Sequence, residues 1–339
     1  MTEKQPKMTA DANVASATVA APEMIRTRPF DWVEFFISAA LPIAVILLGL
    51  FFYLNAPVFF TWRNAINISI QIAALMTIAV PSAMLLMAGK VDLSVGSMLA
   101  LCGVVAGLSF ETLGVPGAVL LTLGVGLVAG LINGTLISVM GMSPIIVTLG
   151  GLTLMRGAAQ WLAPFPVFGF PESFAILGYQ RWLGIPYLTW IMIIVLLAGV
   201  LVMRFLPVGR RIIAIGINER AAYLVGVRVK LTGLLLYVAV GLATSVAALM
   251  SIARINSAPS GTLGVGVELT VLTAILLGGI PFTGGKGSVL RVALALWLLG
   301  MLSNGLILMN VPTELSLMIT GAVLVFAAGL DLIRTRRAG

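Results

Sequence analysis

Lys90, Asp92 and Ser94 stand close together in "AGKVDLSVGSMLAL" (88–101), with long apolar runs on both sides. A cation, an acid and a hydroxyl so placed admit two readings. In the first, the stretch is a cytoplasmic turn between membrane spans: Asp92 or Ser94 caps the next helix, Lys90 snorkels to the headgroups, and Gly96 allows close helix packing. In the second, Asp92 and Ser94 sit at depth in an interrupted helix and line a path for a polar solute, because an ionisable group inside a membrane is a functional candidate. A near-repeat, "GGIPFTGGKGS" (278–288), argues for more than a chance turn. Its glycines Gly278, Gly279, Gly284, Gly285 and Gly287, with Gly89 and Gly96, suit tight packing or a moving gate.

These residues need elements to hold them, and the composition says what those elements are. Of 339 residues, 60% are hydrophobic and 9% charged, with a mean hydropathy of +1.12. So few charges cannot cover the surface of a soluble domain, which is about 25% charged overall. Lipid must solvate most of the chain. The net charge of +8 does not point to nucleic acid, because the basic residues are dispersed at the ends of apolar segments. The single cysteine, Cys102, permits no intrachain disulfide, and the absence of histidine removes imidazole relays and His-ligated metals.

Ten apolar windows follow, at roughly 35–54, 66–88, 94–110, 116–140, 144–163, 187–206, 231–252, 268–280, 288–309 and 315–332. The reading is an all-α polytopic membrane protein of about ten transmembrane helices, or eight if irregular segments re-enter. The 268–280 window is short, spanning only about 20 Å, less than the hydrocarbon core. The 144–163 window contains Gly150, Gly151, Arg156 and Gly157. Both are expected to be broken or partial helices. With both termini cytoplasmic, ten spans put sixteen of the twenty Lys and Arg on the inner side, leaving Arg63, Arg156, Arg181 and Arg254 outside or in a span. Residues 1–30, polar and without an apolar run, read as a mobile cytoplasmic tail, and 31–339 as a single transmembrane domain.

Shifted by 191 residues, 82–97 overlays 273–288, with Ala83, Leu85, Leu86, Gly96 and Ser97 repeated. Shifted by 171, Asn133-Gly134 meets Asn304-Gly305. The two shifts imply opposite relative orientations, so they cannot be one duplication; two halves, each with a polar turn followed by helices, are plausible for a transporter.

The loop "PVGRRIIAIGINERAAYLVGVRVK" (207–230) is strongly basic. As an anchor it would need charge alone. It also has helical order after an expected break at Gly216: Asn218 can cap a short helix whose small residues Ala221, Ala222 and Gly226 allow another surface to approach. It reads as a docking element for a cytoplasmic protein. Among uncharged polar residues in spans, Asn67, Gln71, Ser82, Asn133, Thr148, Gln160, Thr273 and Asn304 could line a path, or could simply bond helix to helix. The aromatics Phe165, Phe168, Phe170 and Trp182 of the external segment 164–186 read as an interfacial belt, with docking of a binding protein there as the minority reading.

Four motifs in order, "AGKVDLSVGSMLAL", "SPIIVTLGGLTLMRG", "GRRIIAIGINERAAYLVGVRV" and "LLGGIPFTGGKGSVL", resemble those of the membrane permeases of ribose-type (monosaccharide-class) ABC importers, over roughly 64–333. The resemblance implies a type II importer fold in the bacterial inner membrane. It implies two permease subunits, identical or paired with a relative, two cytoplasmic ATPases and a periplasmic solute-binding protein. It implies that the chain binds no cofactor, with ATP and Mg used by the ATPase. Asn218, Glu219, Arg220, Ala221, Ala222 and Gly226 match the family's coupling segment, with one departure: Arg220 stands where the family usually has an acid, and Glu219 lies one residue earlier. The expected path residues are Asp92, Ser94, Asn133, Thr148 and Asn304.

The expected function is therefore import of a small polar solute, a monosaccharide, polyol or furanosyl compound, powered from outside. The sequence has no Walker-type phosphate loop, since "GGKGS" lacks the spacing. An ATP-independent secondary transporter or channel is the alternative; the near absence of Asp and Glu from the spans disfavours it. A membrane enzyme would need a nucleophile, metal site or carboxylate pair clustered at one face, and the sequence offers none.

Overall fold

A computed structural model describes residues 32–325 apart from 313, 317, 320 and 324. The expected tail (1–30) and the basic residues Arg334, Arg336 and Arg337 lie outside the described residues. The chain divides into Met1–Ala39 and Ala40–Gly339. Of the first unit, residues 32–39 are helical. The second begins with helix α1 (Ala40–Asn55). It continues through α2 (Trp62–Met87), α3 (Val95–Gly134), α4 (Pro144–Leu162), α5 (Glu172–Tyr179), a hairpin of β1 (Arg181–Trp182) and β2 (Ile185–Pro186), and α6 (Tyr187–Phe205). Then come α7 (Pro207–Ile217), α8 (Glu219–Leu224), α9 (Val229–Ile255), α10 (Val267–Leu277) and α11 (Val289–Leu308).

Among the described residues, six helices are long and apolar enough to cross a membrane: α2, α3 with its continuation to Val139, α4, α6, α9 and α11. Two of the ten sequence windows merge in α3, α1 and α10 are shorter, and the last window runs past the described residues. Helix α3 is continuous only nominally. At Gly114 the backbone turns to φ 63°, ψ 177°, a conformation that favours glycine, and Pro116 follows. The chain then doubles back. The buried Cys102 thiol reaches the carbonyl of Thr122 at 4.0 Å, and Asn133 returns to Ser94. The element therefore has two limbs, 95–113 and 115–134.

The second limb packs along α9 through a seam of glycines. Gly126, Gly130 and Gly134 recur every four residues and so share one helix face. A Cβ at Gly130 would lie 2.6 Å from the carbonyl oxygen of Tyr237 and 2.8 Å from the Cα of Val238. Gly126 likewise meets the backbone of Gly241. In lipid there is no hydrophobic drive between helices, so this close approach gives dispersion contacts that larger residues would forbid.

Two sequence expectations need correction. Helix α4 runs unbroken from Pro144 to Leu162 through Gly150 and Gly157, both of which face open space. Gly216 does not break the basic loop; it lies inside α7, where its missing side chain lets the helix meet Met87 and Gly285. The short α10 is as expected, about 16 Å at 1.5 Å per residue. The external segment carries more structure than a loop. Phe170 is buried against Phe110 (5.2 Å between ring centroids) and Phe174, so it serves the core, while Phe165, Phe168 and Trp182 are exposed.

The near-repeat is real in backbone terms, though not at one offset. Helix α2 ends with amides of Gly89 and Lys90 bonding back to Leu86 and Leu85; α10 ends with Gly279 and Ile280 bonding back to Leu276 and Ile275. Both glycines have positive φ, 73° and 83°, the αL cap that glycine accepts without strain. These caps correspond at a shift of 190, but the following helices begin at Val95 and Val289, a shift of 194. A single overlay at 191 compromises between the two.

Gly130→Leu should destabilise the protein by about 1–3 kcal/mol through overpacking of the seam, while Gly157→Ala, in open space, should be neutral or better. Thermal unfolding midpoints of the detergent-purified proteins would measure this. Equal midpoints for the two variants would remove the seam from its role.

Candidate functional site

The segment 88–94 leaves α2, runs without helix, and enters α3. Its polar groups are inside the protein: Lys90 is 8% exposed, Asp92 7% and Ser94 0%. Asp92 accepts from the Ser94 amide at 2.8 Å and from the Ser94 hydroxyl. Asn133, arriving on the second limb of α3, donates its amide to the other Asp92 oxygen at 3.2 Å and to Ser94 Oγ at 3.0 Å. Tyr237 of α9 donates its hydroxyl to the Val91 carbonyl at 3.0 Å. Burial pushes the Asp92 carboxyl above the ordinary carboxylate range, and the bonds from Ser94 and Asn133 oppose that shift. Ser94 is the N-cap residue of α3 but makes no capping bond, because its side chain is committed to Asp92 and Asn133. Gly151 of α4 closes over the same pair, with Ser94 Cβ 3.5 Å from where its Cβ would be.

Lys90 does not snorkel to lipid. Its ammonium lies 3.5 Å from Glu219 Oε1, the one ion pair among the described residues. Burial makes a partner necessary, and α8 supplies it. That short helix starts at Asn218, whose side chain accepts from the Ala221 amide at 2.9 Å as expected of a cap. It stops at Gly226 (φ 85°). Ala222 packs inward, whereas Arg220 and Ala221 face out. Around them Ile217, Tyr223, Leu224 and Val225 are each 70% exposed or more, an apolar tip beside arginines.

The two polar turns and this segment meet. The Gly285 amide donates to the Met87 carbonyl at 2.8 Å, and Gly216 of α7 abuts both. Gly284 lies against Gly89, and Gly285 against Ile217. Gly278 packs on Val292, Gly287 on Ile280, and Gly96 on Gly264 beside Glu268.

The other path candidates do not join. Thr148 is buried and bonds back to Pro144 in its own helix at 2.8 Å. Asn304 accepts from Asn64 at 2.8 Å, a bond between α11 and α2 remote in sequence from Asp92 and Asn133 and not connected to them by any hydrogen bond. Of the remaining polar residues Asn67 and Gln160 are exposed, and Ser82 is buried without a partner. Gln71 lines a cavity of about 170 Å³ with Leu75, Ser251, Arg254 and Gly264.

Sequence reasoning missed Tyr237 and the Lys90–Glu219 pair. It also missed Arg156, which donates to the carbonyls of Ser260 (3.0 Å) and Leu263 (2.7 Å) and so ties down the segment before α10. A lone arginine in an apolar window was the signal for the last; nothing local signalled the others. Among the described residues, no cluster of three or more His, Cys, Asp or Glu could hold a metal.

Asn133→Leu should cost about 1–3 kcal/mol by leaving buried acceptors unpaired, whereas Asn304→Leu should leave Asp92 undisturbed. Unfolding midpoints combined with infrared detection of the Asp92 carboxyl would distinguish them. An unchanged carboxyl band in Asn133→Leu would mean that the bond has no hold on Asp92.

With this geometry in view, the family described as "Branched-chain amino acid transport system / permease component" matches residues 64–328. Among curated relatives, the Yersinia enterocolitica "Autoinducer 2 import system permease protein LsrD" is 36% identical over 257 residues, covering 73% of this chain and 77% of that protein. The Escherichia coli K12 "Ribose import permease protein RbsC" is 34% identical over 285 residues, covering 81% and 88%. No solved structure matches the chain. The chain belongs to this permease family, the multi-pass membrane subunits of ribose-type ABC importers.

Proposed function

We propose that the chain is the permease of a bacterial inner-membrane importer for a small, uncharged, sugar-like solute, working as one of a pair with two cytoplasmic ATPases and a periplasmic binding protein. Ribose and autoinducer 2 are the cargoes named for the relatives; a pentose or furanosyl compound fits that range. The family's description names branched-chain amino acids, whereas the relatives at 34–36% identity name ribose and autoinducer 2, and those guide this reading. The chain has ten membrane segments in this proposal, counting α1, both limbs of α3, the short α10 completed by the non-helical chain at its ends, and a last helix that includes Glu314–Val323. Both termini are cytoplasmic.

The observation that carries this reading is the meeting of α7–α8 with both polar turns. Helix α8 offers an apolar tip, and Arg220 beside it favours an acidic neighbour on the ATPase. Movement of α8 reaches the 88–94 segment through Glu219 and Lys90, and both turns through Gly216, Met87 and Gly285. Asp92, Ser94 and Asn133 are the closed constriction of this state, to be opened when the limbs of α3 part. Thr148 stands one helical turn before Gly151 on the same wall. The cavity at Gln71 is the resting place of the solute. ATP-driven closure of the ATPases biases the inward- and outward-open states by its unequal contacts with them.

Proteoliposomes holding the permease, its ATPase and solute at both faces test this. Lys90→Glu and Glu219→Lys should each uncouple hydrolysis from uptake, and the double exchange should restore coupling. The single variants should also lose stability, because Lys90 is buried and would lose its partner, so the recovery of both folding and coupling in the double exchange is the decisive reading. Solute uptake without an ATPase would favour the channel alternative and overturn the proposal.

A further inference from the structure

We propose that the groove between α7, α9 and the inner end of α2 binds one anionic phospholipid. The groove is a cavity of about 560 Å³. Its walls are Met84, Leu231, Leu235 and Ala239, and its mouth carries Arg211 and Arg228. Leu231, Leu235 and Ala239 are four residues apart, so they form one stripe of α9 that starts one turn in from Arg228 and runs about 12 Å. Leu231 is 43% exposed and Leu235 55%, so the stripe faces outward from the bundle.

The two arginines are what select the occupant. Arg228 is the N-cap residue of α9 and Arg211 lies on α7, so both stand where a crossing helix meets its surface segment. Neither guanidinium has a carboxylate or hydrogen-bond partner among the described residues, and Glu219 is engaged with Lys90. A guanidinium pair presents forked donors that match a phosphodiester. An acyl chain below the phosphate would lie along the α9 stripe. Basic pockets between membrane helices take such headgroups. A zwitterionic lipid brings its own ammonium and gains less. An isologous second copy of the chain would bring its own unpaired arginines to the same place. Gly226 lines this groove too, so the lipid would brace the end of α8 against α9.

The test uses the full-length protein in phosphatidylethanolamine vesicles. These carry a trace of either phosphatidylglycerol or phosphatidylcholine with a photoreactive acyl chain. Phosphatidylglycerol should label peptides containing Leu231–Ala239, and phosphatidylcholine should not. Arg211→Gln with Arg228→Gln should weaken that labelling about thirtyfold. Arg63→Gln, a basic change elsewhere, should not. If the double variant is not monodisperse, Leu235→Trp, which fills the groove and keeps both arginines, should abolish the label. Equal labelling by the two lipids, undiminished labelling in the Arg211/Arg228 double variant or in Leu235→Trp, or crosslinks joining two copies at Leu235 would each overturn the proposal.

Discussion

In hydrocarbon, a backbone amide or carbonyl that leaves a helix must find its partner inside the protein. Much of this structure follows from that requirement. Helices α2 and α10 both stop short of their successors, and each stop is closed by a glycine cap whose amides bond back into the helix. The chain between α2 and α3 is then held by Tyr237 on Val91 and by Asp92 on Ser94. The chain before α10 is held by Arg156 on two carbonyls and by Ser260 on Ala163 at 2.6 Å. Many Ser and Thr hydroxyls among the described residues bond back into their own helices, while Tyr237, Arg156 and Ser260 serve as partners of interrupted backbone.

That requirement also explains why the polar turns and α7–α8 share one region. A turn that is not helical needs neighbours at every depth. Glycines let those neighbours come close: Gly216 meets Met87 and Gly285, and Gly284 meets Gly89. Such contacts between backbones have no long side chain to absorb a displacement. In the proposed cycle, such contacts would pass a movement of α7 to both turns.

The sequence revealed the helices and the break at 88–94 because hydropathy and charge act locally. It revealed the Asn218 cap for the same reason, since a cap and its amide are three residues apart. It brought Asn133 forward as a polar residue in a span, but not its partner, which is a matter of α3 reversing at Gly114. Asn304 looked equivalent to Asn133 by an offset of 171, yet one joins Asp92 and the other Asn64. Snorkelling is the common fate of a lysine beside a span, and the local sequence offers that role for Lys90. Its pairing with a residue 129 positions away depends on tertiary packing alone. The windows 94–110 and 116–140 part around Gly114, where α3 reverses, whereas Gly150 and Gly157 read as breaks yet lie in an unbroken helix.

The sole sulfhydryl, at Cys102, is walled in by the two limbs of α3. Water-soluble maleimides will therefore pass the wild-type chain by. Spectroscopic labels can be introduced at any outward position, on α8 for instance, without first rebuilding the protein to rid it of background thiols.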